Sequence, residues 1–389
     1  MEYLKRTWAQ INLDAIANNY NIIKDIASKH CKIMAVIKAD GYGHGALPVA
    51  FELKEHGADY FAVSNIEEAI ALRNGGINDN ILILGYTPCE NADKIIKYSL
   101  TQTVFSLKYA KKLADFAKKD SAVIKAHIKI DTGMGRLGFV YYGKNDSICE
   151  IKEACMLENL NFEGIFTHFS SADMPSKKNE TFKQFDLFCS VTDKLKEENI
   201  VFSLRHCCNS GALLDYPHMH LDMIRPGIIL YGLLPSNEIN NKPNLTPAMS
   251  LKTAISQIKT VPKGTTVSYG QTYTAKKESL LATLPIGYAD GFYRLMSNKG
   301  RVMINDTCAN IVGRVCMDQT IVDVTNIPGC NEESIVTVFG QDKKNSIPVE
   351  DISELSGTIN YEIVCDVGKR VSRIYLKNGK KKGILNYIV

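Results

Sequence analysis

What most limits the fold of this chain is a repeated alternation through its first 230 or so residues. Eight short apolar runs rich in β-branched residues recur: "KIMAVI" (32–37), "YFAVS" (60–64), "ILILG" (81–85), "QTVF" (102–105), "VIKAHIKI" (123–130), "FEGIFTH" (162–168), "FSLRHC" (202–207) and "LDMIRPG" (221–227). Between them lie stretches with helix punctuation. "NIEEAIALRNGG" has a capping residue in front and glycines behind, "SLKYAKKLADFAKK" opens on Ser106 as N-cap, and "SKKNETFKQFDLFCSVTDKLKEE" is long and polar-faced. Strands alternating with helices form parallel βαβ units, and eight of them in about 200 residues favour a closed barrel over an open sheet.

Beyond residue 243, after the turn-rich "PSNEINNKPN", strand follows strand: "LKTAISQIKTV", "SLLATLPIG", "RVMIN", "NIVGRVCM", "TIVDVT", "SIVTVFG" and "RVSRIYL". The expected fold class is therefore α/β, with an N-terminal (β/α)8 TIM barrel over residues 1–240 and a C-terminal, mainly antiparallel β domain over 241–389. The alternating segment at about 8–14 precedes the first barrel unit and is available to pair with the β domain instead.

With 45% hydrophobic residues among 389, the chain can fill two cores. A net charge of +4 without a basic block argues against nucleic acid as a partner. The start, "MEYLKRTWAQINL", lacks an apolar signal core, and no run approaches the ~18–20 residues of a membrane span, so a cytoplasmic protein is expected. The eleven cysteines form no C-x-x-C pair and are read as reduced, mostly buried thiols. Cys207 and Cys208, as strand neighbours, should point to opposite faces, which opposes joint metal ligation; no metal site is expected.

In such a barrel the carboxyl ends of the strands carry the chemistry. Here those ends are polar: Lys38, Ser64, Ser106, Lys129 and Asp131, His168, His206 with Asn209 and Ser210, and Arg225. Any one lysine there is more often a rim residue; seven polar strand ends shift the balance. Lys38 is the candidate nucleophile, because a desolvated lysine becomes neutral and forms a Schiff base with an aldehyde. The glycines of "GYGHG" let the backbone pass close beside a bound group, or simply make a tight turn. "CNSGA" (208–212) and "RPGI" (225–228), after the seventh and eighth strands, suit a phosphate. An aldehyde-binding lysine with a phosphate cradle implies pyridoxal 5'-phosphate.

Nine segments together carry a family resemblance: "AVIKADGYGHG" (35–45), "HIKIDTGMGRLGF" (127–139), "GIFTHFSSAD" (164–173), "HCCNSGA" (206–212), "MIRPGIILYG" (223–232), "VSYGQTY" (267–273), "PIGYADGF" (285–292), "VGRVCMDQ" (312–319) and "TINYE" (358–362). In this order they resemble the bacterial alanine racemases, a family with a pyridoxal-phosphate barrel followed by a β domain. The resemblance implies Lys38 as the Schiff-base lysine, with the phosphate held by Tyr42, Ser210, Tyr361 and the N–H groups of Gly227 and Ile228. It places His168 and Asn209 around the cofactor and Arg225 opposite the pyridine nitrogen. A guanidinium only donates, so that nitrogen stays unprotonated and the ring is a weaker electron sink, which opposes reprotonation at the wrong carbon.

The resemblance further implies two bases, Lys38 and Tyr269, the latter supplied by the other subunit of a head-to-tail homodimer with shared sites. An unperturbed tyrosine, with a pKa of about 10, needs cationic neighbours to act near neutrality, and His168 would transmit the influence of Arg225. Arg136 and the Met317 N–H would bind the substrate carboxylate. Tyr288, with Tyr361, would narrow the entrance, and Arg294, Arg314, Asp173 and Asp318 would line an outer corridor or interface. Lys129 corresponds to a lysine that is carboxylated in some members. The implied activity is interconversion of L- and D-alanine, supplying D-alanine for peptidoglycan. The rivals are a serine or broader-specificity racemase, a decarboxylase of similar architecture, which Arg225 opposes, and a non-catalytic cofactor carrier or regulator.

Overall fold

The computed structural model describes residues 5–143 and 146–388; the first four residues of the segment read for a signal core lie outside this range. The chain forms two compact units. One comprises Ile16–Gly41 and Ala46–Thr246; the other comprises the stretch before Ile16, Tyr42–Gly45 and the stretch from Pro247 onward.

Strand β1 (Thr7–Asn12) belongs to the second of these units. The barrel strands are β2 (Lys32–Val36), β3 (Tyr60–Val63), β4 (Asn80–Ile83), β5 (Thr101–Val104), β6 (Ile124–Asp131), then β8 (Leu160–Phe166), β9 (Leu204–His206) and β10 (Met223–Ile224); the short β7 (Phe139–Val140) lies beside β6. All are parallel, in the order β10-β2-β3-β4-β5-β6-β8-β9. Backbone hydrogen bonds from Asp222 N to Arg205 O (3.1 Å) and Arg225 N to Cys208 O (3.0 Å) link β10 to β9 and nearly close the ring. The strands read as continuous apolar runs because they are buried on both faces, as β3 and β5 are throughout. The helices start where expected: Asn65 Oδ1 accepts from Glu68 N, and Ser106 Oγ from Tyr109 N.

The other unit is built on an eleven-stranded sheet. From one edge its order is Gln257–Val261, Ser279–Leu284, Thr320–Asp323, Thr307–Ile311, Arg301–Ile304, Val336–Gln341, Met249–Thr253, β1, Ser372–Lys377 and Lys380–Leu385, with Ser346–Ile347 against Val336–Gln341. Only β1 with Ser372–Lys377 is parallel. Two runs differ from the sequence reading. "LKTAISQIKTV" is two strands broken at 254–256, and "NIVGRVCM" leaves the sheet after Ile311. The division falls at Thr246 rather than near 240, because Thr246 N donates to Asn19 Oδ1 (2.9 Å) and Asn19 Nδ2 returns a bond to Thr246 O (2.9 Å). Among the described residues no helix is long and apolar enough to cross a membrane.

Tyr42–Gly45 explains the glycines after Lys38 differently from the sequence reading. Gly43 has φ +78°, and a Cβ there would lie 2.1 Å from Val364 O; at Gly45, φ +92°, it would meet Tyr375 Oη at 1.9 Å. Arg373 Nε donates to Gly43 O (3.0 Å) and Tyr375 Oη to His44 O (3.0 Å). The bare backbone is therefore needed for close packing on the sheet unit. Gly43→Ala combines a clash with strain and should cost about 2–4 kcal/mol in urea unfolding, whereas Gly264→Ala, with only the left-handed strain, should cost about 1 kcal/mol.

Candidate active site

Lys38 stands two residues past β2, half-buried at the carboxyl end of the barrel. The chain then makes a left-handed turn: Ala39 (φ 51°), Asp40 (φ 53°), Gly41 (φ 61°) and Tyr42 (φ 51°). Three of these carry side chains, and left-handed geometry costs roughly 1–2 kcal/mol for each. Glu68 compensates. Its carboxylate accepts from Ala39 N and Ser64 N, both at 2.7 Å, while Asp40 Oδ1 accepts from Ala46 N (2.8 Å). Glu68 was not singled out in the sequence, where it is one of two adjacent glutamates on a helix.

Arg225, one residue past β10, is 4% exposed. Its Nη1 donates to His206 Nδ1 (2.9 Å), and its Nη2 to Thr167 O (2.8 Å), Cys207 O (3.0 Å) and, at 3.4 Å, His168 Nδ1. Burial lowers its pKa to about 10, so it remains a cation at neutral pH. His168 is driven well below the usual imidazole range by desolvation, then by Arg225, Lys129, Arg136 and Lys38, which shows that these cations share one region. His206 is likewise neutral, through burial and the Arg225 charge.

Lys129, on β6, is 5% exposed and donates to Ile130 O (2.6 Å). Burial lowers its pKa to about 7; Asp131 opposes the shift, and Arg225 and Arg136 add to it. Asp131 Oδ1 accepts from Gly133 N (3.0 Å) and Gly135 N (3.1 Å), holding the loop that bears the exposed Arg136. After β9, Asn209 Oδ1 caps the helix Ser210–Asp215 through Ala212 N, and Ser210 Oγ accepts from Gly227 N at 3.0 Å; Ile228 is fully buried beside them in sequence. Ser106 Oγ is occupied as a helix cap, accepting from Tyr109 N at 3.2 Å. Cys207 and Cys208 correct a sequence expectation. Both thiols donate to Met219 O at 3.1 Å, because β9 ends at His206 and strand alternation no longer applies. Of the eleven cysteines only Cys89, Cys207 and Cys208 are buried, fewer than expected.

The remaining candidates lie in the sheet unit. Tyr42 and Tyr361 pack with ring centroids 6.0 Å apart. Tyr269 is 72% exposed in a 3-10 turn. Ser268 (φ 64°) precedes it with its hydroxyl donated to Arg314 O (2.7 Å), and Gly313 leaves room where a Cβ would lie 2.7 Å from Ser268 Cβ. Tyr288 and Met317, both exposed, are joined by Tyr288 N to Cys316 O (3.1 Å) and Ala289 N to Met317 O (3.0 Å). Buried Asp290 fixes this turn, accepting from Gly287 N (3.0 Å) and from both terminal nitrogens of Arg6. Asp318 pairs with Arg370 at 2.8 Å.

Lys129 gives this cluster a measurable signature. Between its folded value near 7 and an unfolded value near 10.4, the unfolded chain binds one more proton, so stability rises with pH. Measured by urea unfolding, wild type should gain about 1.4 kcal/mol per pH unit over Lys129→Met from about pH 7 to pH 10, with a constant difference below.

Residues 11–235 match the family described as "Alanine racemase, N-terminal domain", and residues 248–375 match "Alanine racemase, C-terminal domain". The chain is 44% identical over 387 residues to alanine racemase 1 of Clostridium acetobutylicum, covering 99% of each. It superposes on the alanine racemase of Clostridium difficile 630 in complex with cycloserine with a TM-score of 0.92, 40% identity and complete coverage of both chains. The alanine racemase of Bartonella henselae with covalently bound pyridoxal phosphate matches with a TM-score of 0.83 and 28% identity, over 95% of this chain and 99% of that one. With both of its units matched in order and close relatives spanning its whole length, the chain belongs to the alanine racemase family.

Proposed function

We propose that this protein interconverts L- and D-alanine using pyridoxal 5'-phosphate bound to Lys38, as a cytoplasmic head-to-tail homodimer supplying D-alanine for peptidoglycan. The observation that carries the reading is geometric: at the carboxyl end of the barrel the buried Arg225 donates to His206 Nδ1 (2.9 Å) and His168 Nδ1 (3.4 Å), with no carboxylate among its partners in the described residues. Basic side chains gathered there suit a ligand bearing a phosphate and a carboxylate. The residues also fit the cofactor's polar groups. Ser210 Oγ accepts from Gly227 N at 3.0 Å and so has its own hydroxyl hydrogen to give to a phosphate, and buried Arg225 has only uncharged partners among the described residues. A family neighbour is described with this cofactor covalently bound.

When bound, the cofactor supplies an electron-withdrawing ring that acidifies the α-hydrogen of an attached amino acid. On this reading Tyr42, Tyr361, Ser210 and the N–H groups of Gly227 and Ile228 bind phosphate, with Asn209 holding the turn. Arg225 donates to the pyridine nitrogen and, being unable to accept, leaves it unprotonated. Arg136 and the Met317 N–H hold the substrate carboxylate, and Tyr288 limits the side chain to a small one.

Lys38 and Tyr269 move the proton at Cα from opposite faces, one removing it and the other returning it. Tyr269, with 72% of its surface exposed, has the accessibility that a residue serving a second copy requires. His168 accepts from Arg225 at Nδ1, so its hydrogen is on Nε2, where it can donate to a phenolate. Lys129, half neutral near pH 7, can add carbon dioxide: its nitrogen bonds to the carbon and releases a proton, giving an anion to balance Arg136.

The test is incubation with pyridoxal phosphate and L-alanine in D2O, with L-serine in parallel, following optical rotation and Cα deuterium. Loss of rotation with deuterium at Cα and no carbon dioxide or pyruvate is expected, faster for alanine. Lys38→Ala should abolish cofactor absorbance. Tyr269→Phe should keep that absorbance and lose racemisation by about 100-fold or more. Bound cofactor without exchange on either substrate would favour a carrier, and normal turnover in Tyr269→Phe would remove it as the second base.

A further inference from the structure

A chain of polar side chains crosses the barrel interior, where branched aliphatic residues are the rule. It starts at Arg225 beyond the carboxyl end of β10 and runs through His206 and His127 to Tyr60 and Glu163. Tyr60 and Thr101 open their strands, so the far end lies toward the amino end of the barrel. His206 Nε2 is 2.9 Å from His127 Nδ1, and His127 Nε2 is 3.2 Å from Tyr60 Oη and 3.6 Å from Glu163 Oε1. Tyr60 Oη (3.2 Å) and Thr101 Oγ1 (3.4 Å) both donate to Glu163 Oε1. Both imidazoles are completely buried, Tyr60 is 3% exposed, and Glu163 is 23% exposed.

We infer that Glu163 is a positioning residue: by accepting the Tyr60 hydroxyl it fixes which nitrogen of His127 and His206 carries hydrogen, so that a lone pair faces Arg225. The inference rests on the reading of Arg225 as the partner of the pyridine nitrogen. A guanidinium only donates, so His206 Nδ1 must accept and His206 carries its hydrogen on Nε2. His127 Nδ1 must then accept, which puts its hydrogen on Nε2, toward Tyr60 and Glu163. Every hydrogen in the chain points away from Arg225 and ends on a carboxylate. If the Tyr60 hydroxyl donated to His127 Nε2 instead, each bond would reverse and His206 would present an N–H to Arg225.

The backbone is shaped for this arrangement. Between β6 and β8, Phe162 pairs with Ala126 and Gly164 with His127, leaving Glu163 as the extra residue of a bulge, a device that re-aims a side chain. A Cβ on Gly164 would lie 2.6 Å from His127 Nδ1 and Cε1, so that glycine makes the space the ring occupies. The ring of Phe166 stacks on His206 with centroids 4.7 Å apart and planes 6° from parallel. Buried polar networks are costly unless fully satisfied, and this one runs from the only buried arginine among the described residues of the barrel unit to the carboxylate that ends it.

The test uses the full chain with 15N-labelled histidine, with and without pyridoxal phosphate. In wild type, His127 and His206 are expected as Nε2–H tautomers; an Nδ1–H form of either overturns the inference without any variant. The variants are made in a T101V background, which removes the other hydroxyl able to accept from Tyr60. T101V alone and T101V with E163Q should keep the wild-type tautomers, because an oxygen acceptor remains. T101V with E163L, folded by circular dichroism, should switch His127 to Nδ1–H, shift the absorption band of the bound cofactor, and lower kcat about tenfold with KM within about twofold. Unchanged tautomers in that variant, or switched tautomers with an unchanged band and kcat, would overturn it. Should wild type take up no cofactor, the cofactor reading fails while the tautomers still decide whether Glu163 directs the chain.

Discussion

The barrel mouth is organised around a cation that has no anion beside it. Arg225 is buried, and among the described residues no carboxylate lies within ion-pair distance; its contacts are imidazole nitrogens and main-chain oxygens. An ionised group in that position loses its hydration and recovers the loss only through well-placed acceptors. The consequences spread outward. His206 and His168 must be neutral to accept from it, and Lys129, lowered chiefly by its own burial, is pushed further the same way by the Arg225 charge. Asp131, the nearest carboxylate on the same strand, is bound by the Gly133 and Gly135 N–H groups and acts on the Arg136 loop rather than on Arg225. The result is a buried guanidinium with no carboxylate against it among the described residues, an arrangement that suits an anionic ligand.

Much of this was legible in the sequence because it depends on local rules. Strands buried on both faces read as apolar runs, and Asn65 and Ser106 mark helix starts by residue type alone. Lys38, Arg225 and Ser210 could be placed because strand ends in a barrel share one face. Features set by tertiary context were hidden. The strand break at 254–256 carries no proline or glycine, so nothing local separates Met249–Thr253 from Gln257–Val261. A bulge at Glu163 cannot be seen in an alternation pattern, since "FEGIFTH" reads as an ordinary strand with one glutamate on its surface. His127 passed for the same reason: a single histidine within "VIKAHIKI" looks like a residue satisfied in the core, and only the contact with His206 gives it a direction.

The left-handed turn after Lys38 shows how the two kinds of information meet. Sequence suggested that glycines allow an unusual backbone, yet Ala39, Asp40 and Tyr42 adopt the same conformation without being glycine. At roughly 1–2 kcal/mol each, their strain is comparable to a large part of a domain's net stability, so the turn cannot persist on local preference. It persists because both ends are anchored. Glu68 accepts Ala39 N and Ser64 N at the start, and Gly43 is seated against Val364 at the finish. The glycines that matter most are therefore the ones that permit the anchor, Gly43 and Gly45, not the one inside the turn. A lysine required to present its amine in one direction gains from such a constraint: the neighbouring residues have no relaxed alternative nearby, and reorienting Lys38 would mean breaking contacts on two separate elements at once.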